Sequence, residues 1–249
     1  YANSDNNGPW GDALVTEFIP QLEKTYRCNG ARLLTGHSSG GWTVMWLQTQ
    51  YPTDFIACWS SAPDPVDFRN FTNVNLYEDK NMFYDKDNSQ RLVATVAGFF
   101  PWATMKTTYQ MEQVVYRGEQ MNSFNAVFSK KGADGIPESI CNSETGAINT
   151  KTFENWKKYD IALNLKNNWE TLKPDLEGKV RISVGNQDNF MLNYAVKLLD
   201  AQMKEMNSTF QFAYYPGDHF TVGTADYKKD GYQFLEQKYV EWLGKTDKK

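Results

Sequence analysis

Cysteine, histidine and long apolar segments are all scarce in this sequence, and each scarcity argues against a class of protein. The three cysteines, Cys28, Cys58 and Cys141, have no metal-ligand spacing, and their odd number argues against a disulfide framework, although one bridge is compatible with it. No apolar stretch reaches the roughly 18 residues that a membrane span requires. We therefore expect no metal site and no membrane span.

Charge is balanced rather than concentrated along the chain. The net charge is −4, and Lys and Arg form no run or stripe, so nucleic acid is not an expected partner. The chain begins at Tyr1 rather than Met, without a signal peptide, and we interpret it as processed or shortened. A secreted or periplasmic location is preferred to a cytoplasmic one.

Aromatic residues are abundant, at 15% of the chain with 8 Trp and 14 Tyr. This content indicates either an aromatic-lined pocket for an aryl or sugar group, or simply a core rich in large side chains. Trp102 and His37 are our candidates for substrate binding.

Strand and helix patterns alternate through most of the chain. Apolar runs predict strands at residues 31–35, 55–60, 180–184 and 210–214, with helices at 10–26, 41–51, 161–172, 190–206 and 232–243. Such alternation is typical of a mostly parallel sheet covered by helices on both faces. We therefore predict an α/β core built from residues 1–65 and 158–249. Residues 66–157 break the rhythm and indicate an inserted helical cap or lid, with an ordinary second subdomain as the alternative.

Ser38 lies in the motif GHSSG at residues 36–40, between a predicted strand and a predicted helix. Such a turn is sharp, and we expect Gly36 and Gly40 to be required because side chains there would collide with the backbone. The turn exposes the Ser38 hydroxyl and places the backbone N–H of Ser39 at a helix N-terminus, where it can stabilise an oxyanion. A purely structural turn is the alternative.

A serine nucleophile needs a general base, and the sequence contains two histidines. His37 belongs to the turn itself, and we expect it to point away from the Ser38 hydroxyl. His219 follows the last predicted strand in a loop and is the predicted base, with a solvated surface histidine as the alternative.

The acid of the predicted triad is Asp188. It follows the third predicted strand and gives the chain order Ser, Asp, His, which is that of α/β-hydrolases. Asp64, which follows the second strand, is the stronger rival, whereas Asp218 is adjacent to His219 and poorly placed to orient it.

Several of these stretches resemble the putative-esterase family of α/β-hydrolases, which includes esterase D-like, feruloyl-esterase-like and enterochelin-esterase-like enzymes. The similarity lies in GPWGDALVTEFIPQLEKTYRC, LLTGHSSGGW, FIACWSSAPD, RISVGNQDNF and YYPGDHF. It implies Ser38 as nucleophile, Asp188 as acid and His219 as base, and it does not extend to residues 66–157.

The resemblance also implies that the N-terminal part of the sheet is absent from this chain. In the family the strand before the nucleophile is the fifth of eight, so four strands and the second oxyanion donor are missing here. Residues 31–35 would then form an apolar sheet edge. We interpret the chain as the C-terminal part of a longer esterase, or as one whose sheet is completed by a partner chain or a swapped segment.

The predicted function is hydrolysis of small-molecule carboxylic esters, with aryl or sugar esters favoured by the aromatic content, through an acyl-enzyme and without a cofactor. Two other interpretations stay open: an impaired hydrolase domain with a binding or assembly role, and a serine peptidase or acyltransferase of the same fold.

Overall fold

A four-stranded parallel sheet forms the centre of the fold. The computed structural model describes residues 1–115 and 117–246. The sheet has the order β3-β4-β7-β8, and β1 with β2 and β5 with β6 form two-stranded antiparallel pairs. The strands are β1 (Asn3–Ser4), β2 (Gly8–Pro9), β3 (Leu33–His37), β4 (Ala57–Ser61), β5 (Leu92–Val96), β6 (Phe100–Thr104), β7 (Val180–Gly185) and β8 (Gln211–Tyr215).

Helices connect the parallel strands, as the sequence predicts. The α-helices are α1 (Trp10–Ala13), α2 (Ile19–Thr25), α3 (Ser39–Gln50), α4 (Met105–Val115), α5 (Gln120–Phe128), α6 (Thr150–Trp156), α7 (Ile161–Leu176), α8 (Leu192–Glu205) and α9 (Ala225–Thr246). A π-helical segment joins α1 to α2 at Leu14–Phe18, and short 3₁₀ helices occur at Phe68–Asn70 and Lys157–Tyr159.

The four strands of the sheet occur close to their predicted positions, with small shifts at their ends. The shift that matters for the site is in β3, which ends at His37 rather than at residue 35, because Gly36 and His37 still pair with Ser60 and Ser61 of β4. Apolar runs cannot reveal polar residues that belong to a ladder. The strand therefore leads directly into Ser38.

Pro20 lies within the first helical region without ending it. It lies in the first turn of α2, directly after the π-helical segment. A proline is tolerated at the start of a helical segment because its missing N–H has no obligatory partner there. The wider π turn before it thus allows residues 10–25 to stay helical throughout.

The hydrophobic core continues from the sheet into the segment between β4 and α7. All five residues of β4 are buried. One cluster of buried side chains contains Trp42 and Val180 from around the sheet together with Phe71, Phe128 and Trp156 from the intervening segment. The two predicted parts, the α/β core and the cap, therefore share one packed interior.

β3 lies at an edge of the sheet, as the sequence predicts. Within the described ranges it pairs only with β4, and its Leu33 and Leu34 are half-buried. Arg32, just before the strand, forms ion pairs with Glu23 at 2.8 Å and with Asp54 at 3.3 Å. None of the helices in the described ranges has the length and apolar character needed to cross a membrane.

Candidate active site

Ser38 occupies a strained backbone position between β3 and α3. Its φ of 58° and ψ of −123° lie outside the regions that non-glycine residues ordinarily adopt. Its N–H donates to the Ser61 carbonyl at 2.9 Å, and its carbonyl accepts from the Trp42 N–H at 3.0 Å. Strain of this kind costs about 1–3 kcal/mol and is concentrated at functional sites. The turn therefore has the geometry of a nucleophile elbow.

The glycines of the turn have unequal roles. A Cβ on Gly36 would lie 2.3 Å from the carbonyl oxygen of Gly40, and one on Gly41 would lie 2.6 Å from that of Ser61. A Cβ on Gly40 would meet nothing within 4 Å. The expectation that both flanking glycines are required is thus wrong for Gly40, and the second glycine that close packing requires is Gly41, which contacts the neighbouring strand.

His219 and Asp188 form a buried pair on the loops after β8 and β7. His219 Nδ1 lies 2.8 Å from Asp188 Oδ2, and the two residues are 5% and 1% exposed. The other oxygen of Asp188 accepts from the backbone N–H groups of Phe190 and Leu192 at 3.0 and 3.3 Å. The carboxylate is therefore fixed in place, and the Nε2 atom of the imidazole is left for another partner.

Asn189 is a supporting residue that sequence analysis missed. Its Oδ1 accepts from the His219 N–H at 3.0 Å, and its Nδ2 donates to the Thr95 carbonyl at 2.9 Å. It thereby joins the loop of the base to strand β5. An asparagine beside an aspartate carries no recognisable sequence signal for this role.

Asp64 lies in the site but does not contact His219. Its Oδ2 accepts from Ser39 Oγ at 2.5 Å and from Gln120 Nε2 at 3.3 Å. The residue is 7% exposed, and burial raises the pKa of its carboxyl. The structure therefore places Asp188, and not its rival Asp64, at the imidazole, while Asp218 hydrogen-bonds to Thr221 and to the N–H of Phe220.

His37 contacts the ring of His219, the predicted base. Its ring centroid lies 4.7 Å from that of His219, and its Nδ1 lies 2.7 Å from Ser61 Oγ. Burial, and next the neighbouring His219, lower the pKa of His37. His37 does not line the cavity that contains Ser38, whereas Trp102 does.

A cavity of about 420 Å³ opens over Ser38 and His219. Its wall is mainly apolar and aromatic, with polar groups from Asp64, Glu112 and Gln120. Trp102 is 57% exposed, and its ring lies 6.4 Å from those of Phe190 and Phe220. Ser39 borders the site as the first residue of α3, so its N–H has no partner within the helix. In residues 1–115 and 117–246, no cluster of three His, Cys, Asp or Glu side chains could hold a metal ion.

A parallel sheet with a serine at a strained strand–helix turn, and a His–Asp pair on two later strand loops, defines the α/β-hydrolase class. The chain belongs to the Putative esterase family, whose sequence profile matches residues 2–229. No curated protein matches the sequence.

Solved structures with a similar fold include a ferulic acid esterase at 15% identity and a TM-score of 0.47, covering 96% of this chain and 63% of that one. An acylaminoacyl peptidase has 12% identity and a TM-score of 0.46, covering 96% of this chain and 28% of that one. A carboxylesterase of the thaumarchaeon Nitrososphaera gargenis has 15% identity and a TM-score of 0.43, covering 96% of this chain and 74% of that one. The chain thus spans less than two thirds of the length of the first two.

Proposed function

We propose that this chain hydrolyses carboxylic esters through an acyl-enzyme on Ser38, with His219 as general base and Asp188 as the residue that orients it. The observation that carries the proposal is the buried pair of His219 and Asp188, 2.8 Å apart, on a cavity that also contains the strained Ser38. Ser38 and His219 line the same cavity, and Asp188 supports His219 through this contact.

The chemistry follows from the position of each group. Nδ1 of His219 faces Asp188, so Nε2 is the nitrogen available to accept the Ser38 proton as Oγ attacks the ester carbonyl. The imidazolium that forms is stabilised by the Asp188 carboxylate and donates its proton to the departing alcohol. Water, deprotonated by the same nitrogen, then releases the acid and regenerates Ser38. The Ser39 N–H, at the start of α3, donates to the oxyanion in both steps.

The aromatic wall supports an aryl or sugar group in the substrate. Trp102 and Phe220 lie beside the base, with the Phe220 ring 5.5 Å from that of His219. Flat rings of this kind stack on aryl groups and on the apolar faces of sugars, and they bury area at little entropic cost. We assign Trp102 to substrate binding, and we give His37 no direct contact with substrate.

Labelling with a fluorophosphonate probe, combined with turnover of p-nitrophenyl acetate, tests the proposal. We expect peptide mass mapping to find the probe on Ser38. The Ser38→Ala variant should not be labelled, and its kcat should be lower by about 10³-fold or more. Ser143→Ala, at a serine outside the cavity, is the matched control and should retain both. If the folded chain neither turns over the ester nor labels at Ser38, the proposal fails, and a binding or assembly role becomes the better account.

A further inference from the structure

The cavity over Ser38 contains more negative than positive groups. Two carboxyl side chains, Asp64 and Glu112, line it, and neither Lys nor Arg is among its lining residues. His219 is the lining residue that can become positive, and it is already paired with Asp188. Mainly apolar walls disfavour the charged forms of these two carboxyl groups, and a group of opposite charge that enters the cavity would favour them.

Asp64 is buried among neutral partners. The Ser39 hydroxyl and the Gln120 amide both donate to Oδ2, and neither carries charge. Within the described residues Oδ1 has no hydrogen-bond donor, and this atom is not among the buried oxygens sealed from solvent. Among the described residues, Oδ1 of Asp64 is thus an acceptor without a donor, on a side chain that is 7% exposed and lines the cavity.

Glu112 has a structural role that also positions Gln120. One of its oxygens, Oε2, accepts from the N–H groups of Met121 and Asn122 at 2.7 and 3.1 Å, at the start of α5. This contact anchors the helix whose first residue reaches Asp64. Glu112 is 2% exposed, and burial raises the pKa of its carboxyl as it does for Asp64. Within the described residues neither carboxyl forms an ion pair, although the nearby His219 partly offsets the effect of burial on the pKa of Asp64.

We propose that Asp64 binds an ammonium group on the acyl part of the substrate, so that the preferred substrates are esters of amino-substituted carboxylic acids. This inference rests on the proposed ester hydrolysis at Ser38. Asp64 accepts from the Ser39 hydroxyl and donates its backbone N–H to the Ser38 carbonyl at 3.2 Å, so its carboxyl lies near the residue that would attack the ester.

An ammonium group fits this wall better than a hydroxyl group does. It donates a hydrogen bond to Oδ1 and also neutralises the carboxylate, and a charge-assisted bond of this kind is about twice as strong as a neutral one. The aromatic rings of Trp102, Phe190 and Phe220 line the same cavity and also attract cations. A hydroxyl group would supply the hydrogen bond but leave the charge uncompensated.

Three methyl esters of one shape separate these contributions: L-leucine methyl ester, methyl 2-hydroxy-4-methylpentanoate and methyl 4-methylpentanoate. Methanol release is measured at about pH 6.5, below the usual α-amino pKa of about 7.7–8.0, so that the amine is protonated. Each kcat/KM is divided by the rate constant for alkaline hydrolysis of the same ester, which removes intrinsic reactivity. We expect the amino ester to exceed the unsubstituted ester by about 10- to 100-fold, and the hydroxy ester to fall well below the amino ester.

Asp64→Asn should bring the ratio of amino to unsubstituted ester close to one, and the ratio rather than either rate is the readout. Asp67→Asn is the matched control. Asp67 is a buried aspartate on the same loop, but it pairs with Arg69 and does not line the cavity. The ratio of amino to unsubstituted ester in Asp67→Asn should therefore stay at the wild-type value. Independently of any variant, 3-methylbutylammonium should protect Ser38 from fluorophosphonate labelling at lower concentration than 3-methylbutanol.

Three results would overturn the ammonium site while leaving ester hydrolysis intact. The amino and unsubstituted esters could have equal normalised rates, or the hydroxy ester could be hydrolysed as fast as the amino ester. The ratio of amino to unsubstituted ester could also stay unchanged in Asp64→Asn. Absence of turnover with all three esters, together with no labelling of Ser38, would instead overturn the hydrolysis on which it depends.

Discussion

Replacing Gly36 with alanine and replacing Gly40 with alanine should have opposite effects, although both glycines belong to the same five-residue motif. A Cβ at position 36 would lie 2.3 Å from the carbonyl oxygen and 2.5 Å from the carbonyl carbon of Gly40. Both of these atoms belong to the backbone of the turn, so no side chain can rotate away to relieve the contact. A Cβ at position 40 meets nothing within 4 Å.

The magnitudes follow from these contacts. Inserting a methyl group into a closely packed site costs about 1–3 kcal/mol, and a clash with fixed backbone belongs at or beyond the upper end of that range. Gly40 has no positive φ and lies in the first turn of α3, so alanine there reduces the entropy of the unfolded chain. We expect Gly40→Ala to be neutral or to stabilise the fold by about 0.4–1 kcal/mol.

Urea denaturation followed by tryptophan fluorescence measures both effects, and the rate of fluorophosphonate labelling reports whether Ser38 is still presented correctly. Gly36→Ala should lower the unfolding midpoint and slow labelling, while Gly40→Ala should do neither. If both variants lose the same stability and label equally slowly, the close contact between Gly36 and Gly40 does not determine the geometry of the turn, and the reasoning is refuted.

Two further predictions concern buried aspartates. Asp188→Asn should lower kcat for p-nitrophenyl acetate by about 10⁴-fold, as loss of an orienting carboxylate does in serine hydrolases, with little change in the unfolding midpoint. If instead Asp64→Asn lowers kcat by this factor and Asp188→Asn does not, the acid is Asp64. Burial raises the pKa of Asp160 from 3.8 to about 6. Because the folded protein then holds this proton more tightly than the unfolded chain, the contribution of Asp160 to the free energy of unfolding should fall by about 2–3 kcal/mol as pH rises from about 4 to about 7. Urea denaturation at these two pH values measures the change in the free energy of unfolding, which should be more negative by this amount in the wild type than in Asp160→Asn. An equal change in both proteins would contradict the assignment.

The sheet and the candidate catalytic residues could be predicted because each depends on local sequence. Short apolar runs indicate buried strands, and the polar residue after each run lies at the same edge of a parallel sheet. With two histidines in the chain, one of them inside the turn, His219 is the base that remains. These inferences require no knowledge of how distant segments pack.

The contacts that could not be predicted are those between distant segments. The role of Gly41 depends on the Ser61 carbonyl of the neighbouring strand. The contact between the rings of His37 and His219 joins the end of β3 to the loop after β8, although the sequence indicates only that His37 points away from Ser38. Glu112 and Gln120 reach the cavity from residues 66–157, in which we identify no motif from the sequence. Periodicity reports which face of an element is buried, and it does not report what lies opposite.

The segment between β4 and α7 takes part in holding the loop of His219, the proposed base, and this connects the proposed substrate contact to that loop. Thr95 in β5 donates its N–H to the Asn189 carbonyl at 2.7 Å and accepts from the Asn189 side chain at 2.9 Å. The same asparagine binds the backbone of His219. Trp102, the proposed substrate contact, lies on β6, which pairs with β5. A hairpin that carries the proposed substrate contact and is fixed to the His219 loop is not expected to act as an independent lid, because displacing it would break the hydrogen bonds that Asn189 makes with Thr95.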